Sequence, residues 1–203
     1  VNAVGGQLYV ANSTALTGSG VTSASFTTMS VVNVSGFVQN EILSLKKVTE
    51  TGFTTEYVLV NSSSRDDRSS DTNFAGKLMV TRGYGRGTTG DSGSLGGSPA
   101  TSQSYDPGQV LVSTGKVGTG YIRLNANPND PTTPYIDIVE RTGSAIYDVD
   151  LKARLGDLSG VADSVGGRDV SGFGLYTDNA FLKGGIVATY GQVGGFGISA
   201  TTI

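Results

Sequence analysis

The sequence predicts an all-β chain, and three observations carry that prediction. Short runs with period-two alternation recur along its length, each bounded by Gly, Ser, Asn or Pro. Glycine supplies 31 of 203 residues, about twice its usual share, so thin β layers with many tight corners fit better than packed helices. In the last third, from Gly174 to Ile198, apolar pairs alternate with glycines every few residues, and nothing there could start a helix. The predicted architecture is a small β-barrel or sandwich-like module followed by a glycine-rich, elongated, intertwined trimeric β region.

The elements follow in order. Gln7-Leu8-Tyr9-Val10-Ala11 and Ala24-Ser25-Phe26-Thr27-Thr28-Met29 alternate and are rich in β-branched and aromatic residues. Glu41 to Val48 has enough helix formers for a short helix on propensity alone. It is read as a strand, because Thr49-Glu50-Thr51-Gly52 and then Glu56-Tyr57-Val58-Leu59-Val60 supply a turn and a hairpin partner. The polar stretch Asn61 to Asn73 is expected to be an exposed loop, and Leu78 to Arg82 a further strand. Later strands are expected at Gln109–Val112, Tyr121–Leu124, Tyr135–Val139 and Tyr147–Leu151. This divides the chain into a β module at 1–90, a Gly/Ser-rich loop or linker at 91–104 and a β-rich fibre region at 105–203. The linker cannot bury enough apolar surface to offset its own ordering entropy.

Composition excludes several chemistries. The chain has no cysteine, which rules out disulfides, thiol catalysis and thiolate metal sites. It has no histidine, which removes the commonest general base and the commonest zinc ligand. Net charge is −3, without the basic footprint that phosphate recognition needs, so no nucleic-acid partner is expected. No apolar run approaches the ~20 residues of a helical membrane span, so no membrane insertion is expected. Val1 and Ile203 are read as cuts within a longer chain.

Each motif that suggests chemistry also has a plainer reading. Gly90-Asp91-Ser92-Gly93-Ser94 mimics a serine nucleophile loop, but a serine needs a base to take its proton and no histidine exists. Gly83-Tyr84-Gly85-Arg86-Gly87 gestures at a phosphate cradle, yet more Gly and Ser follow where a helix N-terminus would be required. Glycan hydrolysis needs two acids some ~5–10 Å apart. Asp137, Glu140, Asp148 and Asp150 are the nearest candidates: Asp148 and Asp150 share a strand face, Asp137 and Glu140 point oppositely, and a solvated face is the preferred reading. Asp66, Asp67 and Asp71, like Asn127, Asn129 and Asp130, could offer oxygens to Ca²⁺, but neither run has the glycine and terminal acid of a calcium loop. No catalytic, metal or cofactor residue is assigned.

Several segments resemble a family. The opening Gly-Gln-Leu-Tyr-Val strand, the Asn40-Glu41-Ile42-Leu43 strand after Gly36-Phe37, the Glu56–Val60 strand and Val80-Thr81-Arg82-Gly83-Tyr84-Gly85 are similar to a β module of tail-tip and tail-fibre proteins of tailed bacteriophages. Ala153 to Val161, the run Gly174 to Gly184, and the closing Ala188-Thr189-Tyr190-Gly191-Gln192-Val193-Gly194-Gly195-Phe196-Gly197-Ile198 resemble siphophage fibre repeats, where Trp often stands in place of Phe196. The resemblance implies a non-enzymatic virion protein of the distal tail, a homotrimer that meets other tail proteins and a host cell-surface receptor or glycan. Other readings are a virion-borne glycan depolymerase and a bacterial surface adhesin.

Two residue sets follow as expectations. Arg82, Tyr84 and Arg86, with Arg65 and Asp67 in the other protruding loop, are candidate partner contacts, since Tyr and Arg are frequent binding anchors; bracing of the module is the equal alternative for Arg82 and Tyr84. Phe181, Leu182, Ile186, Val193 and Phe196 are candidate core residues of the trimer. Three wrapped copies would cover one another's strand edges there.

Overall fold

The computed structural model describes residues 2–4, 6–18, 26–50, 52–85, 104–165, 167–187, 191–193 and 196–198. Every regular element among them is a strand. In chain order they are β1 (Asn2–Val4), β2 (Gln7–Val10), β3 (Ser13–Ala15), β4 (Phe26–Val31), β5 (Ile42–Thr49), β6 (Gly52–Arg65), β7 (Gly76–Thr81) and β8 (Val110–Ser113). The second half holds β9 (Gly120–Asn125), β10 (Tyr135–Arg141), β11 (Val149–Asp157), β12 (Ser164–Val165), β13 (Arg168–Asp169), β14 (Phe173–Thr177), β15 (Gly191–Val193) and β16 (Phe196–Ile198).

Six antiparallel strands in the order β3-β8-β5-β6-β7-β4 form a nearly closed barrel. The two outer strands meet through a Leu16–Val31 bridge, with the Thr17 N–H donating to the Ser30 carbonyl at 2.8 Å and the Val32 N–H to the Ala15 carbonyl at 3.0 Å. Closure leaves few free edges, the device β proteins use against unwanted strand pairing. Period two decides what goes inside. On β7, Leu78 and Val80 are buried while Lys77 and Met79 face out; Val58 and Val60 of β6 and Leu43 and Leu45 of neighbouring β5 are buried with them. Met29, Val31 and Leu111 join them, with Leu16, Val34, Phe37 and Tyr105 around the same core, each aliphatic side chain contributing roughly 1.5–3 kcal/mol by leaving water.

The helix-or-strand ambiguity at Glu41–Val48 resolves to strand β5, paired with β6 in register from Ile42–Leu59 to Thr49–Gly52. The expected loop at Asn61–Asn73 is shorter than the sequence suggested. β6 runs on to Arg65, past a register shift between Val60 and Ser62, so Ser62 to Arg65 still pair with β7. Polar composition misled here because these residues lie on the last part of a strand that extends beyond the barrel core.

The second sheet has the order β1-β2-β9-β10-β11-β14, all antiparallel, with a bulge at Lys152 opposite Ile138 and Val139. Two small hairpins, β12–β13 and β15–β16, stand apart from both sheets. The sheets cut across the expected division at 90 and 104. β2 pairs with β9 and carries β1 with it into the second sheet, while β8, from beyond the glycine-rich stretch, inserts between β3 and β5 of the barrel. The physical reason is that short strands need long-range partners, which local composition does not specify. Residues 86–103 lie outside the described residues.

Barrel and sheet meet at an aromatic and polar junction. Ile42 and Tyr84 pack on Ile146 from the β10–β11 loop, with Tyr57 and Leu59 alongside. Gly85 adopts a left-handed φ of 77°, and a Cβ there would lie 2.7 Å from Ile146, so only glycine fits. Arg141 is buried and is satisfied entirely by neutral acceptors, donating to the Thr114 carbonyl and hydroxyl and to the carbonyls of Ala145 and Ile146. Burial pushes the Tyr57 hydroxyl up to about 12, with Tyr147, Tyr9 and Tyr121 adding to the effect. A hydroxyl raised in the folded state stabilises fully below the ordinary tyrosine value of 10, and that contribution is lost as pH rises through about 12. The expected result is an alkaline loss of stability across that window which Tyr57→Phe flattens, measured by thermal melts from pH 8 to pH 12.

Candidate functional site

The residues expected to meet a partner are placed very differently. Glu56 continues the inward set of Val58 and Val60, and Arg82 continues Leu78 and Val80, so both point into one end of the barrel. There Arg82 donates to Glu56 through Nε at 2.8 Å and Nη2 at 2.7 Å, with side-chain exposures of 0% and 2%. The Gly83 N–H donates to the same carboxylate, so the would-be phosphate cradle spends a backbone donor inside the protein. Tyr84 is buried too, its hydroxyl donating to the Ser144 carbonyl at 2.7 Å. Of the two readings open for Arg82 and Tyr84, the single chain places both as braces: alternation turns Arg82 into the barrel, and Tyr84 packs into the junction with Ile42 and Ile146. Arg65 folds back on its own loop, donating to the Asn73 and Ser70 carbonyls with its guanidinium 4.2 Å from the Phe74 ring centroid. Asp67 is exposed but caps its own turn, accepting from the Ser69 N–H and hydroxyl, which hold its carboxyl below the usual range. Arg86 lies outside the described residues.

The acids weighed for glycan chemistry are also committed. Asp137, fully buried, sits between two guanidiniums on neighbouring strands, accepting from Arg123 Nη2 at 2.7 Å and from Arg154 Nε at 2.6 Å and Nη2 at 2.9 Å. The register dictates this, since Arg123, Asp137 and Arg154 stand directly opposite one another on β9, β10 and β11. Tyr135 lies under both cations, 3.7 Å from Arg154 and 5.4 Å from Arg123. Glu140 faces the other side, as period two requires, and shares Lys152 with Asp150. Asp148 stands just before β11 and accepts the Ala145 N–H, so the expected pairing of Asp148 with Asp150 on one strand face does not form. Asp130, in the run weighed for Ca²⁺, accepts from Thr132 and Asn125 instead.

The feature that sequence reasoning missed is the opposite face of this second sheet. Leu8, Leu124, Ile136, Leu155 and Leu175 are register partners in one unbroken row across β2, β9, β10, β11 and β14. Val10, Ile122, Ile138, Ala153 and Thr177 form the next row. Neither row holds a charge. Val10, Ile122, Ile136, Ile138, Leu155, Leu175 and Phe173 of β14 are each 38–74% exposed. A shallow groove of about 600 Å³ crosses the face between Leu8, Leu124, Ile136, Leu155 and Phe173. The usual sheet buries its aliphatic set and wets its charged set. Here the arrangement is inverted: the Arg–Asp–Arg row is inside and the aliphatic rows are outside. The signal available in sequence was that Leu8 and Val10, Ile122 and Leu124, and Ile136 and Ile138 occupy one parity of β2, β9 and β10, while Tyr9, Arg123, Tyr135 and Asp137 occupy the other.

From the edge of that sheet the chain leaves as an arm, residues 178–187, with no strand pairing. Its four large apolar side chains, Phe181, Leu182, Ile186 and Val187, are each at least 66% exposed. Three of these were expected in a trimer core, and among the described residues nothing covers them. The side chains of Val193 and Phe196 lie outside the described residues; their backbones form the β15–β16 hairpin, closed by the Val193–Phe196 pair. Together the open face and the arm make a surface suited to apolar association.

No family model, curated protein or solved structure matches the chain.

Proposed function

We propose that the chain is a structural component of a bacteriophage tail fibre or tail tip, assembled with copies of itself into a trimer, joining the tail to the host-recognition apparatus. The observation that carries the reading is the uncharged sheet face left open in the single chain, next to an arm with four uncovered apolar side chains. Exposed apolar patches beyond a few hundred Å² mark association surfaces. The resemblance of the flanking segments to phage tail proteins supplies the setting. In this reading the barrel is a rigid module, its polar interior end clamped by Glu56 and Arg82, and the second sheet is the assembly element. Contact with host-surface glycans or protein would fall to the loops outside the barrel, such as that around Asp67.

The particle is expected to have three times the chain mass of 20.8 kDa, measured by light scattering at micromolar concentration. Labelled antibody is expected to decorate the distal tail of virions. A monodisperse monomer, or virions without label, overturns the proposal. Turnover of capsular or cell-wall glycan by the assembled particle would replace it with the depolymerase reading.

A further inference from the structure

We infer that the arm 178–187 of one copy seats on the open aliphatic face of the second sheet of another copy. This rests on the self-assembly reading above and names the surfaces that perform it. The occupant is thus a second copy of this chain, contributing a specific segment.

Three observations lead there. The first is area. Seven face residues between 38% and 74% exposed present on the order of 700 Å² of apolar surface, and the four arm residues a similar amount. Their sum falls within the ~1,200–2,000 Å² buried in a stable standard interface.

The second is that both surfaces are unsatisfied in the same molecule. Face-to-face stacking of two sheets would cover the aliphatic rows but leave Phe181, Leu182, Ile186 and Val187 in water. Packing arms together on a common axis would cover the arms and leave the rows. Seating arm on face removes both from water in one contact, which makes it the arrangement with the larger hydrophobic gain.

The third is the chemistry of the rim. The rows are free of charge, and the charges beside them lie at their ends, Glu140, Asp150 and Lys152 around the β11 bulge and Asp157 opposite Phe173. The arm repeats that layout, with Asp178 and Lys183 beside its apolar residues. An extended segment can therefore bury its apolar side chains in the groove and keep its own charges at the wet edge. Such a contact joins two different patches and is head-to-tail, so it generates a ring when the rotation between copies closes. Gly184, at a left-handed φ of 144°, allows the arm to turn between its two apolar pairs.

The chain's lack of cysteine makes the test clean. Single cysteines are placed on the face (Leu124→Cys, Ile136→Cys or Leu155→Cys) in one set of full-length chains and on the arm (Phe181→Cys or Ile186→Cys) in another. Face and arm variants are co-expressed pairwise and oxidised. Several pairs are needed because a disulfide forms only when Cα atoms lie ~4.4–6.8 Å apart. The expected result is a linked dimer band in face-plus-arm mixtures and none with either variant alone. In parallel, Ile136→Lys and Phe181→Asp should each convert the assembly to monomers with unchanged circular dichroism, because both side chains are solvent-facing in the isolated subunit. Monomer-mass bands linked internally in a face-plus-arm double variant would show the arm on its own sheet and overturn the inference. An assembly that stays intact but links only face to face or arm to arm overturns the seating while sparing self-assembly. A chain that is monomeric before any substitution overturns both.

Discussion

Glu56→Ala is expected to destabilise the chain by about 3–5 kcal/mol, the penalty for stranding one member of a buried ion pair. The Arg82 guanidinium has 0% side-chain exposure and loses both charge-assisted hydrogen bonds to the carboxylate, and the Gly83 N–H loses its acceptor as well. At roughly 2–4 °C per kcal/mol for a domain of this size, the melting temperature should fall by about 10 °C. Arg82 also lies 5.5 Å from the ring centroid of Tyr105, a member of the barrel core, so the loss falls on the core itself. Differential scanning calorimetry of the variant measures it. The double variant Glu56→Leu with Arg82→Met separates the two possible reasons for the pair. If the loss comes from an uncompensated charge, the double variant recovers most of it, because well-packed apolar replacements of a buried pair are close to neutral. A double variant as unstable as Glu56→Ala would show that the pair's geometry, not its charge balance, shapes the barrel end.

Asp137→Asn is expected to have an effect of the same size, in the other sheet. Two guanidiniums on the strands flanking β10 share this single carboxylate, so neutralising it leaves both positive charges facing Tyr135 without a counterion. About 3–5 kcal/mol should be lost, and the loss should deepen at low ionic strength, where repulsion between the partly exposed Arg123 and Arg154 is screened least. Melting curves at two salt concentrations test this. A variant as stable as the parent at both would mean that water already shares the cations. The consequence reaches assembly: the inner face holds β9, β10 and β11 in register, and the aliphatic rows on the outer face exist only in that register. Asp137→Asn should therefore weaken self-association by more than any change confined to the barrel.

Much of the fold was legible in the residues. Alternation located β2, β5, β7, β9 and β10 to within a residue or two, and the hairpin turn near Gly52 settled the strand identity of Glu41–Val48. The opposite orientations of Asp137 and Glu140 followed from period two alone. What failed did so for identifiable reasons. Residue type alone leaves partner contact and bracing equally open for Arg82 and Tyr84, whereas the parity that Arg82 shares with Leu78 and Val80 directs it inward. Position in the alternation outweighs residue type when a cation finds a buried carboxylate.

The sequence by itself determined that this chain is built of strands, where most of them lie, and that thiol and imidazole chemistry are foreclosed. These are local properties, set by alternation, turn residues and composition. Only the tertiary structure decided that residues 2–10 join the second sheet, that β8 completes the barrel, and that the aliphatic side of the second sheet faces outward. Strand order and sheet orientation depend on which distant segments pair and which face finds complementary charges. Here the Arg123–Asp137–Arg154 row and its aromatic neighbours took the inner side, and the greasy rows were left for another surface to cover.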